Sequence, residues 1–550
     1  MLLRPSLCMT AVTATLAALL LTACERDNAQ TTQSATEAGK NATAPSTASP
    51  AIIHYASTKD IRDINPHLYL GEMSAQAMVF EPLVINTADG VKPWLAKSWE
   101  ISEDGRHYTF HLREGITFTD GTPFDANAVD MNIRAVLANR TRHAWLDFVN
   151  EIEATRVVDA MTWELTLKHP YYPTLIELGV TRPFRFISPA CMKEANTKDG
   201  VNCLVGTGPW ILKEHVRNQF ARFERNAHYW GEAPKVDGVL WKVMPDVQTM
   251  LLALQKGEID LIFGADGDQI TSDAFSALEK GGTKLMVKAS RPIASRAILF
   301  NSSAPITADA AVREALQRAI NRDAIVNGVL NGAETAALTL FARNVPGCDV
   351  DLAARPYDPA KAEALLDEAG WKRSGQGVRS KNGHALELNF YFNSQNAQEK
   401  TIAQAIQGDL AKIGVTLNVI GEEKQAFLDR QRNGQFDLQY SLSWGAPYDP
   451  QSYFSSWRIP SHGDYQAQRG LPNKAEIDAT ITQLMTEPNE KKRQLMTHTL
   501  LRTIHDSAVY FPISYSRTKA VYTPRLDNVE FALSQYEIPF ERMRIVPLNH

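Results

Sequence analysis

Cysteine is scarce: there are five in 550 residues, and no two stand at CxxC spacing. That excludes a disulfide-stapled miniature and a cysteine zinc cluster. An excess of positive charge is also missing. The chain has 57 Lys+Arg against 62 Asp+Glu, so its formal charge is 57 − 62 = −5. General nucleic-acid binding usually shows the opposite balance, and no nucleic-acid partner is expected. There is no GxSxG elbow, no HExxH helix and no HxH pair. Gly206-Thr-Gly208 runs into Pro209 and Trp210, so it does not open a helix as a phosphate cradle would. Cys191 and Cys203 have no catalytic setting, and an exported hydrolase is left without machinery. The chain is not expected to be an enzyme. No repeat of 20–50 residues is present. What the chain does have is 44% hydrophobic and 22% charged residues, a globular balance with material for a large core. Its length corresponds to about three or four units at roughly 150 residues each.

The amino terminus reads as an address. Arg4 gives a positive start, and residues 9–21 form an uncharged run of small and apolar residues. The run is too short to span a bilayer core of about 30 Å, and it fits the apolar region of a signal peptide. It ends in Leu21-Thr-Ala-Cys24, which resembles the lipobox of bacterial lipoproteins. That resemblance implies cleavage of residues 1–23 and acylation of Cys24, anchoring the protein to a membrane in the cell envelope. Loss of Arg4 makes the mature balance 56 − 62 = −6. Residues 24–50 hold almost no large apolar side chains and are expected to be a flexible tether. No later stretch of 18 apolar residues follows, so the body is expected to be soluble.

Residues 51–290 are strand-rich. Tyr108-Thr-Phe-His-Leu-Arg113 and Trp163-Glu-Leu-Thr-Leu-Lys168 alternate apolar and polar residues, with turns at Glu103-Asp-Gly105 and Asp120-Gly121. A helix is expected over 125–139, with Asp125 as N-cap. Beyond residue 300 the texture changes. Helices are expected at 309–329, at 358–370 between Asp358-Pro359 and Gly370, and at 401–413 before Gly414. Strands are expected at 386–392, 415–420 and 508–514. Alternation of this kind indicates an α/β fold with a central sheet.

Five segments, Trp94-Leu-Ala-Lys-Ser-Trp99, Glu103-Asp-Gly105, Phe118-Thr-Asp-Gly-Thr-Pro-Phe-Asp125, Gly206-Thr-Gly-Pro-Trp210 and Asn226-Ala-His-Tyr-Trp-Gly-Glu-Ala-Pro-Lys235, resemble the extracytoplasmic solute-binding proteins of peptide and nickel ABC importers. The ordered set covers nearly the whole chain after residue 50. It implies a type II periplasmic-binding-protein fold of two lobes with a hinge, plus an extra subdomain in lobe one. Lobe one would take residues 51–291 and 516–550, and lobe two 292–515. The chain would cross at about 292–299 and 511–516. A monomer that hands its ligand to the permease subunits of an ABC importer is expected.

Within that family the nickel-binding members are the most similar. Asn65-Pro-His-Leu-Tyr69, Arg142-His-Ala-Trp145, Tyr171-Tyr-Pro173, Arg182-Pro-Phe-Arg-Phe186, Trp444-Gly-Ala-Pro-Tyr-Asp-Pro450, Pro460-Ser-His462 and Gln466-Ala-Gln468 carry the likeness. It implies Ni(II) taken as a complex with histidine or a small polycarboxylate. The metal-contacting histidine falls on His462 and the chelator-binding arginines on Arg142 and Arg182. The site aromatics fall on Tyr69, Trp145, Trp444 and Tyr448, and a methionine on Met73. The loop from Tyr69 to Met73 is one residue shorter than the family pattern, and Tyr536 stands where a small hydroxyl residue is usual.

The residues themselves support that chemistry. Ni(II) favours nitrogen and oxygen donors, and no protein-only cage is visible: His67 with Asp63, and His143 with Asp147, are isolated pairs. One histidine suffices if a chelate brings the other donors. Each arginine presents a planar fork for a carboxylate, with Arg185 as an alternative structural partner. Only neutral imidazole ligates, so nickel uptake at a His462-dependent site is expected to fade as pH falls through about 6–6.5, the usual range for histidine. A dipeptide, oligopeptide or haem receptor of the same fold is the alternative. Peptide binders place an acid soon after the equivalent of Trp444; here the first is Asp449. An oxidising compartment would permit a bridge between Cys191 and Cys203, leaving Cys348 as the odd thiol.

Overall fold

The computed structural model describes residues 50–265, 269–373, 375 and 377–547. The expected signal peptide, Cys24 and all of the tether but Pro50 lie outside them. Residues 50–550 form one compact unit built on two large sheets.

The first sheet has seven strands, ordered Trp210–Val216, Phe220–Arg225, Gly238–Val243, Ile52–Ser57, Leu261–Gly264, Lys519–Tyr522, Met286–Ala289. Its faces are covered by two apolar groups. One centres on Tyr55, Trp210, Phe223 and Trp241, the other on Met250, Leu254 and Phe275. The second sheet has six strands, ordered Thr335–Ala336, Tyr510–Ser516, Ala294–Phe300, Leu438–Leu442, Glu387–Asn393, Thr416–Glu422. Parallel pairing of Glu387–Asn393 with Thr416–Glu422 is bridged by the helix Ala397–Lys412, a crossover of the usual α/β kind. A separate four-stranded antiparallel sheet, Ala96–Ile101, His107–Leu112, Thr162–Leu167 and Ile152–Asp159, packs with the helix Ala126–Ala138.

The chain passes between the large sheets twice, from Ala289 to Ala294 and from Ser516 back to Lys519. The two passages run side by side: Ile293 N–H donates to Ser516 O at 2.9 Å and Ser290 N–H to Thr518 O at 2.9 Å. A buried ion pair sits beneath them. Arg296 grips both oxygens of Glu334 at 2.7 and 2.8 Å, and Ser514 Oγ donates to the same carboxylate at 2.6 Å.

Local rules hold where caps decide. Asp125 accepts from Ala128 N–H and Asp358 from Lys361 N–H, each starting its expected helix, and Gly370 is left-handed at φ +87°. The expected helix at 309–329 does not run through. It ends at Ala319, because Ile320 is extended and Asn321 N–H is drawn to Asp409 Oδ2 at 2.9 Å. Asn321 then recaps a short turn through Ala324 N–H, followed by a π-helical turn at Ile325–Val329. The helix expected at 401 begins at Ala397, since Asn396 accepts from Gln398 and Glu399 N–H. The strand expected at 508–514 runs Tyr510–Ser516, two residues later. Cys191 and Cys203 form a disulfide with Cα atoms 4.9 Å apart, and Cys348 is a buried free thiol.

Candidate functional site

The turn that carries Tyr69 is pinned from behind. Asn65 Nδ2 donates to Thr197 O at 2.9 Å, and Gln76 Nε2 donates to Asn65 O and Leu68 O at 2.7 and 3.1 Å. Tyr69 is thereby held beside Trp145, with ring centroids 5.9 Å apart, and Trp145 Nε1 donates to the Tyr69 hydroxyl at 2.6 Å. Arg142 comes from the short helix Arg140–His143, Arg182 from the segment before Pro183. Their guanidinium carbons lie over the Tyr69 ring, 4.9 and 5.0 Å from its centroid, an arrangement favoured by the negative face of the ring. Arg182 also donates to Gly71 O at 3.0 Å. Among the described residues neither arginine has a carboxylate partner.

The facing wall comes from a tight loop. Gly445 is left-handed at φ +77°, and a Cβ there would meet Ile293 at 3.0 Å and Gln535 at 3.1 Å, so only glycine fits. Asp449 Oδ2 accepts from Ser443 Oγ and, at 3.0 Å, from Gly445 N–H, which draws the loop closed. Trp444 then meets Trp145 at 5.3 Å, Tyr448 at 6.1 Å and His462 at 5.7 Å between ring centroids. His462 is the N-cap residue of the helix Gly463–Gln468, with its backbone N–H tied to Ile459 O at 3.0 Å.

Seven of the eight expected ligand-site residues are thus joined by a chain of ring contacts. Met73 is not joined by any described contact. It opens the helix Met73–Val79, two residues beyond the carbonyl that holds Arg182.

Two polar atoms in the cluster are enclosed without a hydrogen-bond partner: the Tyr448 hydroxyl and His462 Nε2. Burial pushes the His462 imidazole down to about 4. It stays neutral well below the ordinary range, so the fade at about 6–6.5 expected of a solvated histidine is not the behaviour of this one. Burial lowers Arg182 from its usual value and raises the Tyr448 phenol.

The isolated pairs seen in the sequence resolve differently. His67 bonds Thr197 Oγ1 and Arg185 O at 2.9 and 3.0 Å, and burial takes it to about 3, so it is a structural residue. Asp147 pairs with Arg458 rather than with His143. Arg185 is the structural partner, bonded to Phe80 O and paired with Glu537. Asp449 is fully enclosed and bonded within its own loop, and burial lifts it to about 7. Two site neighbours were named from sequence but given no role in the site. His143 touches the Tyr69 hydroxyl at 2.7 Å, and its place between Arg142 and Trp145 was the available signal. Tyr536, noted only as a departure, stands 6.3 Å from Tyr448 between ring centroids. Among the described residues no group of three His, Cys, Asp or Glu could hold a metal, and no helix is long and apolar enough to cross a membrane. A cavity of about 1650 Å³ elsewhere, lined by Glu81, Tyr229, Lys288 and Glu537, meets the site loop only at Ala446, Pro447 and Asp449.

Residues 90–465 match the model of the bacterial extracellular solute-binding proteins, family 5. The chain belongs to that family. Its members are binding components that deliver ligand to ABC importers, not enzymes. The chain is 42% identical to the nickel-binding periplasmic protein of Escherichia coli K12 over 502 residues, 91% of this chain and 95% of that one. The crystal structure of NikA from Brucella suis in complex with Fe(III)-EDTA superposes with a TM-score of 0.88 at 42% identity, covering 90% of this chain and 100% of that chain. NikZ from Campylobacter jejuni, solved in complex with Ni(L-His), shares the fold at a TM-score of 0.75 and 22% identity over 90% of this chain and 99% of that chain. The mixed α/β solute-binding fold is therefore that of the family.

Proposed function

We propose that this protein captures nickel in the cell envelope as a complex with a small anionic chelator and delivers it to an ABC importer. The observation that carries the reading is the site itself: two guanidiniums without carboxylate partners and an imidazole nitrogen enclosed and unbonded among the described residues, linked through one aromatic cluster. Arg142 and Arg182 would each bind a chelator carboxylate. His462 Nε2 would enter the metal's coordination sphere, the chelate supplying the remaining donors. Trp145, Trp444, Tyr448 and Tyr69 would exclude water and stack on the chelator. Met73 would border the site. A thioether is a poor donor for Ni(II), so its part would be packing. The likeness at 42% identity to a nickel-binding periplasmic protein, and at 42% identity to NikA solved with the metal chelate Fe(III)-EDTA, supports this cargo.

The two sheets would belong to two lobes, 51–291 with 516–550 and 292–515, that close on the ligand about the paired crossings. Cys24 would carry the lipid anchor, and the protein would act as a monomer. A peptide cargo is disfavoured, because Asp449, the first acid after Trp444, is buried and its Oδ2 is held by Ser443 and Gly445, which leaves only the enclosed Oδ1 for an amine.

Calorimetric titration of nickel–histidine into the wild type and His462→Ala tests the reading. Saturable one-to-one binding, weakened but not abolished in the variant, is the expected result. Tight binding of a dipeptide with no nickel–histidine binding would overturn it. Native mass spectrometry of protein purified without added metal would give the mass of the natural chelate.

A further inference from the structure

His143 has no direct part in that reading, yet it is buried at the centre of the cluster. Its Nδ1 lies 2.7 Å from the Tyr69 hydroxyl oxygen. Trp145 Nε1 reaches the same oxygen at 2.6 Å, and an indole nitrogen only donates. The phenol oxygen is therefore an acceptor toward Trp145. Among the described residues the only acceptor beside its proton is His143 Nδ1, so the imidazole takes that proton's bond and carries its own hydrogen on Nε2. Both hydrogen-bonding roles of the hydroxyl are then filled inside the protein, and Tyr69 meets a ligand through its ring alone. That ring lies under two guanidiniums, which are within about 10 Å of each other and repel. A ring free to swing would not keep their spacing.

We infer that His143 is a positioning residue: by accepting the Tyr69 hydroxyl proton it locks the ring on which Arg142 and Arg182 rest, and so sets the distance between the two carboxylate-binding forks. The inference rests on the reading of those arginines as chelator contacts. Burial, with the neighbouring Arg142 charge, holds the imidazole down to about 4, which keeps Nδ1 free to accept at neutral pH.

Two measurements on the full chain test it. The first is calorimetry with nickel–histidine on wild type, His143→Leu and His143→Asn. Asparagine places an amide oxygen near the position of Nδ1, whereas leucine fills the space without an acceptor. Leucine is expected to weaken binding by about five- to tenfold, the loss of one buried hydrogen bond, and asparagine to restore it to within about threefold. Unchanged binding in His143→Leu, or equal loss in both variants, would overturn the positioning role. The second needs no ligand and no variant at His143. In nitrogen-15 NMR of histidine-labelled wild type, His143 is expected to be protonated at Nε2 and bare at Nδ1, with Nδ1 shifting in Tyr69→Phe. A proton on Nδ1, or no shift, would also overturn it. If wild type fails to bind nickel–histidine, the nickel reading falls, and the NMR result decides the His143 assignment on its own.

Discussion

The two walls of the aromatic cluster differ in how their polar atoms are satisfied. On the wall from residues 65–69, 142–145 and 181–185, most polar side chains bond within the protein: Tyr69 to His143 and Trp145, Arg182 to Gly71, Arg185 to Phe80 and Glu537, with Arg185 Nε the one buried side-chain atom there that lacks a partner among the described residues. On the wall from 443–462, several are enclosed and unbonded among the described residues, the Tyr448 hydroxyl, Asp449 Oδ1 and His462 Nε2 among them. Each such atom costs about 1–3 kcal/mol in a closed protein. One wall is largely satisfied from within; the other holds more unbonded atoms, as the proposed site would need. Arginine shows the same contrast. Arg296 is fully buried and gripped by Glu334, whereas Arg142 and Arg182 face no carboxylate among the described residues. The first pattern holds a fold together, and the second is the one proposed above to take an anion.

Removing the paired carboxylate should be the most damaging change. Glu334→Ala leaves the Arg296 charge buried alone and is expected to lower stability by about 3–5 kcal/mol, read from urea unfolding. A loss below about 1 kcal/mol would erase the distinction between the two arginine environments. Arg182→Ala should leave stability nearly untouched and weaken the chelate by about 30- to several-thousand-fold, equivalent to about 2–5 kcal/mol. Arg142 is exposed, so Arg142→Ala should cost less. Calorimetry showing the reverse order would move the main anion contact.

Tyr448→Phe sharpens the contrast between walls. Without ligand the variant should be as stable as wild type or slightly more, since an unbonded buried hydroxyl is removed. With ligand it should bind about fivefold more weakly if the hydroxyl is used, about one hydrogen bond. A drop in ligand-free stability would mean that the hydroxyl already has a partner. The smallest effect is a titration. His462 should titrate near 4 in NMR of the ligand-free protein. Its folded value lies below that of the unfolded chain, so the unfolded chain takes up the proton first as pH falls from about 6.5. Wild type should therefore lose stability relative to His462→Ala between about 6.5 and 4, and show no such trend above 6.5. A midpoint near 6.5 would place the imidazole in water and remove the enclosed wall.

Much of this was legible along the chain. Asp125, Asp358, Pro359 and Gly370 mark helix ends by chemistry that acts within four residues, so the helices at Ala126–Ala138 and Pro359–Glu368 follow from local rules. Period-two alternation marked the strands His107–Leu112 and Thr162–Leu167 for the same reason. The break at Ile320 was not legible, because its cause, Asp409, lies 88 residues away. The candidate site was legible as residue types through family likeness, but its roles were not. Nothing near Arg185 in sequence says that Glu537 will take it, and nothing near Asp449 says that Ser443 and Gly445 will enclose it.

By itself, then, the sequence determined the element types and the α/β class, because these depend on short-range periodicity, capping and composition, whereas the side chains proposed for an anionic metal complex were legible only through family likeness. The tertiary structure decided which arginines are paired and which are free, that His67 supports while His462 is left open, and that the His462 imidazole is neutral down to about 4. Those properties depend on which distant segments meet and how completely they exclude water, and both are fixed only when the sheets and loops have packed.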